Sequence, residues 1–189
     1  GGRRYIAGRD STTEATAVCT LALLALRPEN PAIESALSFL DAQRLPGGAF
    51  ATSVAVPEPS WATPLAAAAM GKAGISDAVH AAEACLLATE AFVPPSMPAG
   101  LYGFDTSILG WPWTTGDYSF VEPTAAAVIF LKRQGHSQHP RIRQAVSMLR
   151  ERAIPAGGWN YGEPVVLGSE LFPAIVPTAL ALLALADEP

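Results

Sequence analysis

The sequence predicts an all-α protein built from a repeated helical hairpin, and two observations support that prediction. A turn containing Gly-Gly or Gly-Trp recurs at four places, and each turn is followed by a helix start rich in Ala, Thr and Pro. The helix starts lie near Ser11, Ser60, Ser119 and Pro173. A period of roughly 50 residues with one hairpin per period is typical of repeat architectures.

Two kinds of helix alternate in the predicted repeats. The first kind is apolar nearly all round, as in residues 15–24 and 179–186, and such a helix has to be covered on all sides. The second kind has one apolar stripe at the i, i+3, i+4, i+7 spacing. Its clearest examples are Ile33, Ala36, Leu37 and Leu40, and Ile142, Ala145, Val146 and Leu149. Buried inner helices and half-exposed outer helices are therefore expected.

The helix starts contain a proline in three repeats, at Pro64, Pro123 and Pro177. Proline suits the first helical position, where the missing N–H is no loss. Glu122 then lies at or near the N-cap. An alternative makes Ser119 the cap, with Glu122 closing a capping box.

The whole chain is interpreted as one domain over residues 1–189. Its longest Pro- and Gly-rich stretch, residues 92–115, interrupts a repeat without separating domains, and loops of that length tend to be functional. The predicted repeat units cover residues of about 1–46, 47–109, 110–156 and, in part, 157–189.

Composition excludes some classes of partner. Half of the residues are apolar, 15% are charged and the net charge is −5. Without a basic stripe, nucleic acid is not an expected partner. The uncharged run 171–186 is broken by two prolines and is shorter than the roughly 18 residues of a spanning helix. Cys19 and Cys85 lie in apolar helical stretches and are expected to be reduced core residues. The expected compartment is the cytoplasm, with membrane association left open.

Several segments resemble one superfamily. Residues 43–50 (QRLPGGAF) and 152–159 (RAIPAGGW) resemble the Gln-Trp turns of squalene and hopene cyclases. Residues 122–125 (EPTA) resemble inner-helix starts of the same superfamily, which includes protein prenyltransferase β subunits. The resemblance covers essentially the full chain. It implies an all-α, α/α toroid-like repeat whose inner helices line an apolar cavity.

The chain holds three hairpins and a fraction, so the resemblance implies a partial ring or crescent. Repeats at an end expose the face that the next repeat covers. The last inner helix, residues 176–185, is therefore expected to be covered by a second copy, as a homodimer, or by a larger parent chain that completes the toroid.

The resemblance also proposes catalytic candidates. Hopene-type cyclases protonate their substrate with the middle acid of an Asp-x-Asp-Asp-Thr-Ala segment. Glu122 or Glu14 stands at that position here, and both companion acids are absent. Neighbouring carboxyl groups help to make the strong acid that alkene protonation needs. The alternative role for either glutamate is a cap or helix-dipole partner.

No metal or cofactor is expected. Asp117 stands where the prenyltransferase pattern has its zinc-ligating Cys, and no histidine follows His139. His136 and His139 alone supply too few ligands for zinc.

Aromatic side chains concentrate in the turns and helix starts. Such rings either lock their own repeat or hold an apolar or cationic ligand. The loop 92–115 is expected to cover one mouth of the cavity with Trp61 close by and with Tyr102, Phe104 and Asp105 as its adjustable part; a surface excursion is the alternative. The ligand-binding candidates are Trp61, Trp111, Trp113, Tyr118 and Phe120.

Two functions follow from this sequence. The first is a squalene-cyclase-like repeat domain that binds an apolar, isoprenoid-like small molecule or a partner protein, without the complete acid motif. The alternative is an active terpenoid cyclase, or a fragment of one, with Glu122 as proton donor.

Overall fold

The computed structural model describes Gly2 and residues 10–93 and 104–188. Within these residues the chain forms seven helices and four short strands. They fall into two compact units, Gly1–Ala88 (unit 1) and Thr89–Pro189 (unit 2). Whether these two units together form one domain is not tested by this division, so the single domain stays a prediction.

Unit 1 is built around a helix rich in alanine. This helix, α3, packs against α1, α2 and α4, and its Ala66, Ala67 and Ala69 are fully buried. A two-stranded antiparallel hairpin precedes α3, with Ala51 opposite Pro59 and Ser53 opposite Val56. The elements of unit 1 are α1 (Thr13–Leu26), α2 (Ala32–Ala42), β1 (Ala51–Ser53), β2 (Val56–Pro59), α3 (Thr63–Lys72) and α4 (Ser76–Ala88).

Unit 2 is built around α5, whose first eight residues are all buried. This helix packs against α6 and α7. A short antiparallel hairpin reverses at Leu167 and Gly168, which both have positive φ. The elements of unit 2 are α5 (Val121–Arg133), α6 (Pro140–Glu151), β3 (Val165–Val166), β4 (Ser169–Glu170) and α7 (Ile175–Leu185).

The predicted all-α, α/α toroid-like fold, as a partial ring or crescent, is wrong. The fold is mixed, although mostly helical, because each unit contains a two-stranded antiparallel sheet. The strands occupy part of the chain between an aromatic turn residue, Phe50 or Trp159, and the next helix. There the backbone satisfies its hydrogen-bonding groups by pairing with itself, so the turn does not lead directly into a helix.

The single-stripe helices are confirmed. Ile142, Ala145 and Leu149 of α6 are fully buried, and the corresponding stripe of α2 is buried except for the half-buried Leu37. The period of 3.6 residues predicts a buried face well when one face packs on a neighbour.

Complete burial of the apolar helices is predicted incorrectly. On α1, Val18 and Leu26 are exposed, and Cys19 is exposed instead of forming part of the core. On α7, Leu182 and Leu183 are more than half exposed. An apolar face is stabilised by burial, but it becomes buried only where a neighbouring element packs on it.

Helix starts differ from the prediction by one or two residues. Pro64 is the second residue of α3, and Pro123 and Pro177 are the third residues of their helices. The N-cap of α5 is Phe120, and Glu122 is the second helical residue. A proline within the first turn removes no intrahelical hydrogen bond, since the first four N–H groups have no intrahelical acceptor.

One pair of hydrogen bonds recurs after three of the glycine turns. The N–H of the aromatic turn residue donates to a threonine hydroxyl in the first turn of the next helix, and its carbonyl accepts from a backbone N–H just before that helix. The N–H bonds join Phe50 to Thr63 (3.0 Å), Trp111 to Thr124 (2.8 Å) and Trp159 to Thr178 (2.9 Å). The carbonyl bonds join Phe50 to Ser60 (3.0 Å), Trp111 to Phe120 (3.1 Å) and Trp159 to Ala174 (2.8 Å).

Across residues 10–93 and 104–188, none of the helices combines the length and the apolar character needed to cross a bilayer.

Candidate ligand pocket

Unit 2 contains a cavity of about 150 Å³, and four of its nine described lining residues are aromatic. A cavity of about this volume, engineered in another protein, stays dry and binds benzene. The described lining residues are Phe92, Phe104, Thr106, Tyr118, Ser119, Phe120, Arg152, Gly162 and Glu163.

The segment before α5 supplies one wall and is held by its backbone. The N–H of Phe120 donates to the carbonyl of Trp111 (3.1 Å), and the hydroxyl of Ser119 accepts from the N–H of Gly110 (2.8 Å). The N–H of Val121 donates to the carbonyl of Tyr161 (2.9 Å). The backbone at Phe120 is therefore held by hydrogen bonds to two other segments of unit 2.

Phe92 forms a second part of the wall together with Tyr118. Its N–H donates to the carbonyl of Asp117 (2.8 Å), and its ring meets the Tyr118 ring edge to face at a centroid distance of 5.4 Å. Edge-to-face contacts of this kind stabilise aromatic pairs by about 0.5–1.5 kcal/mol.

Arg152 places a buried cation in this apolar wall. It is the C-cap of α6 and is only 4% exposed. Its Nη1 donates to the carbonyl of Gly162 (3.2 Å), and its guanidinium carbon lies 3.4 Å from the centroid of the Phe104 ring. Its Nε is buried and has no hydrogen-bond partner among the described residues.

The pKa of Arg152 shows how strongly this cation is desolvated. Burial lowers the pKa to about 10, although the nearby charges of Glu151 and Glu163 act in the opposite direction. The guanidinium therefore stays charged at neutral pH. Burial of a charge is costly unless the charge is paired.

Another part of the wall is a turn held by Asn160. Its Nδ2 donates to the carbonyl of Glu163 (2.6 Å), and its Oδ1 accepts from the N–H of Gly162 (3.0 Å). A Cβ at Gly162 would lie 3.3 Å from the Phe120 ring. A larger residue there narrows the space beside Phe120.

A wider apolar groove adjoins the cavity. It has a volume of about 440 Å³ and shares Phe120, Gly162 and Glu163 with the cavity. The far side of the groove includes Phe172, which is 92% exposed. Its other lining residues are Asn160, Tyr161, Val166 and Leu171.

Arg141 ties together the two ends of the loop that contributes to the pocket. Its Nη2 donates to the carbonyls of Thr89 (3.1 Å) and Gly110 (2.6 Å), and its Nη1 donates to the carbonyl of Leu109 (3.2 Å). The guanidinium carbon lies 4.1 Å from the centroid of the Trp111 ring. Burial lowers the pKa of Arg141.

The structure brings only part of the predicted ligand-binding set together. Tyr118 and Phe120 line the pocket, and the ring of Trp113 lies 6.2 Å from the Phe120 ring between centroids. Trp111 is buried against Arg141 and does not line the cavity. Trp61 belongs to unit 1, and its predicted proximity to the loop stays a prediction.

The two catalytic candidates stay predictions. Glu122 is only 6% exposed, in the first turn of α5, and is not among the described lining residues. Glu14 is half-buried in the first turn of α1 in unit 1.

The sequence did not predict a ligand-binding role for Arg152. It only places Arg152 at the start of the segment 152–159, which resembles a Gln-Trp turn. Glu163 was not predicted as a wall residue either. The loop 92–115 and its Phe104 were predicted to have a functional role, and the described part of this loop contributes Phe92, Phe104 and Thr106. Tyr102 lies outside the described residues. An arginine between a helix end and a Gly-Gly turn was the available signal.

In the described part of the chain, no group of three or more His, Cys, Asp or Glu side chains is placed to hold a metal ion. The rings of His136 and His139 are 6.4 Å apart, and Nδ1 of His139 accepts from the N–H of Arg141.

Comparison with known proteins gave no relative: no protein-family model matches the chain, and no similar sequence was found among curated proteins. The resemblance to squalene and hopene cyclases therefore depends on the residues quoted above and stays a prediction.

Proposed function

We propose that unit 2 binds an apolar, isoprenoid-like small molecule. The observation that carries this proposal is the cavity walled by Phe92, Phe104, Tyr118 and Phe120. Ligand sites are typically concave and mostly apolar, with a few polar groups that orient the ligand. The volume of about 150 Å³ suits a benzene-sized body, and one branched five-carbon unit is comparable in size.

The adjoining groove supports an elongated ligand. The cavity and the groove share Phe120, Gly162 and Glu163, so a chain that enters the cavity has an apolar path outward. Burial of that chain contributes roughly 25 cal/mol per Å² of apolar surface removed from water.

The recurring turn supports the proposed relationship to squalene and hopene cyclases. Phe50 and Trp159, the aromatic residues of the two cyclase-like segments, make the same pair of backbone bonds, and Trp111 makes that pair as well. Equivalent chemistry at three turns is what a duplicated repeat unit produces.

A neutral isoprenoid alcohol tests the proposal. Geraniol should change the tryptophan fluorescence of the protein, since Trp113 lies beside Phe120. Gly162→Val should weaken binding by about tenfold or more, because the added atoms occupy the space next to Phe120. A weakening of that size corresponds to about 1.4 kcal/mol.

The matched control is Gly47→Val in unit 1, where an added Cβ meets nothing within 4 Å. It should leave geraniol binding unchanged. Absence of binding by the wild type, or equal binding by Gly162→Val and the wild type, contradicts the proposal.

The alternative is a terpenoid cyclase with Glu122 as proton donor, favoured by the burial of this carboxyl group two residues after Phe120. Turnover of a squalene-like substrate by the wild type and its loss in Glu122→Gln would favour the cyclase. Equal turnover in both excludes Glu122 as the acid. Binding of the substrate without turnover would favour a non-catalytic ligand-binding domain over the cyclase.

A protein partner is proposed for a different surface. Ile175, Val176, Leu182 and Leu183 of α7 are more than half exposed, and exposed apolar patches mark interaction surfaces. A second copy of the chain or a larger parent chain is the proposed cover. Light scattering that shows a monomer over a wide concentration range contradicts self-association.

A further inference from the structure

We propose that the natural ligand of the unit 2 pocket carries an oxyanion head, a carboxylate or a phosphate, that binds the guanidinium of Arg152. This inference rests on the proposed function and adds the chemical class of the polar end of the ligand.

The guanidinium of Arg152 has no ion-pair partner among the described residues. Its contacts there are the hydrogen bond to the Gly162 carbonyl and the stacking on Phe104. The carboxylates of Glu151 and Glu163 are close enough to influence its charge, but neither forms an ion pair with it. A buried charge without a hydrogen-bonded counterion is strongly destabilising.

The guanidinium leaves one nitrogen for a ligand. Phe104 covers its face, and Nη1 donates to the Gly162 carbonyl. Nε has no acceptor but is closed to a molecule the size of water, so Nη2 is the nitrogen that a ligand oxygen would contact. A charge-assisted hydrogen bond from Nη2 to a carboxylate or phosphate oxygen is a strong one. Arg152 lines the cavity, so the head and the apolar body of one molecule can be accommodated together.

The charge balance around Arg152 favours an anionic head over a neutral one. Glu163 also lines the cavity, and a hydroxyl group could donate to Glu163 while accepting from Arg152. The desolvation of Arg152 outweighs the compensation from both nearby carboxylates, because its pKa is lowered overall. The cation is therefore under-compensated. Hydrogen bonds between ionised groups are roughly twice as strong as those between neutral groups.

Three probes that share one benzene-sized body separate the possible heads: phenylacetate, 2-phenylethanol and 2-phenylethylamine. Their dissociation constants are measured at neutral pH by NMR titration of the full chain. Phenylacetate should bind at least about tenfold more tightly than the alcohol, the effect of one desolvated charge-assisted hydrogen bond. A titration with phenyl phosphate then shows which oxyanion is preferred.

Variants connect this preference to the proposed residues. Arg152→Met should make phenylacetate and phenylethanol bind equally, while the control Arg133→Met, which removes an exposed charge at the end of α5, should not change their ratio. Glu163→Gln removes a negative charge from the wall and should tighten phenylacetate a few-fold, so its preference over phenylethanol should increase. This second variant keeps the test decisive if Arg152→Met fails to fold.

The outcomes distinguish this inference from the proposed function. Equal binding of acid and alcohol by the wild type overturns the oxyanion head and leaves an apolar pocket. Tightest binding of the amine also overturns it and assigns the polar end to Glu163. If no probe binds and geraniol does not bind, both proposals fail. If geraniol alone binds, only the oxyanion head fails.

Discussion

Thr124 provides the sharpest test of the recurring turn. Its hydroxyl is fully buried, accepts from the N–H of Trp111 (2.8 Å) and directs its own proton to the Trp111 carbonyl (3.4 Å). Thr124→Val preserves the shape of the side chain but removes the hydroxyl that accepts from the Trp111 N–H. Water cannot take the place of the hydroxyl, because the new methyl group fills it and the site is fully buried.

The expected cost is the desolvation penalty of one buried donor, about 1–3 kcal/mol of unfolding free energy. Thr178→Val removes the equivalent bond (2.9 Å) at a half-buried site, where water can replace the hydroxyl, so its cost should be smaller. Urea unfolding followed by tryptophan fluorescence measures both. Hydrogen exchange of the Trp111 amide should accelerate only in Thr124→Val.

A loss below about 0.5 kcal/mol for Thr124→Val, the range of neutral surface substitutions, refutes the reasoning. An equal loss in the two variants refutes the part that depends on burial.

Three further predictions concern ion pairs and the loop. Lys132→Met removes the ion pair with Glu188 (2.5 Å) and should cost on the order of 1–2 kcal/mol, with faster hydrogen exchange at the end of α7. Asp77→Asn should lower the melting temperature at neutral pH only. The hydrogen bond from Arg44 lowers the pKa of Asp77, so its stabilisation is present above the unfolded pKa and disappears as the pH falls through the folded pKa. Arg141→Met should accelerate chymotryptic cleavage within residues 90–109. An unchanged cleavage pattern would contradict the role of Arg141 in holding the two ends of this segment together.

The sequence predicts an element best where local periodicity and packing agree. The stripe of α6 could be identified from spacing alone, because one face packs and the other is polar. The exposure of Leu26 and Leu183 could not, since it depends on which neighbouring element is present. The hairpins β1–β2 and β3–β4 were missed because strands of two to four residues are too short for an alternating pattern.

Part of the pocket could be predicted for a similar reason. Tyr118 and Phe120 are adjacent to a recognisable helix start, so their concentration there was visible in the sequence. Arg152 reads as an ordinary charged residue at a helix end. Its burial depends on Phe104 and on the turn at Gly162, which are 48 and 10 residues away along the chain, and single-sequence patterns do not encode such contacts.

The hydrogen bonds of Arg141 affect where unit 2 can accept insertions. One side chain holds the carbonyls of Thr89, Leu109 and Gly110, so the segment between them begins and ends at fixed points. Insertions between these two points leave the three hydrogen bonds of Arg141 in place and should therefore be inexpensive for folding. A change of length there should also leave intact the backbone bonds that hold Phe92 and Phe120.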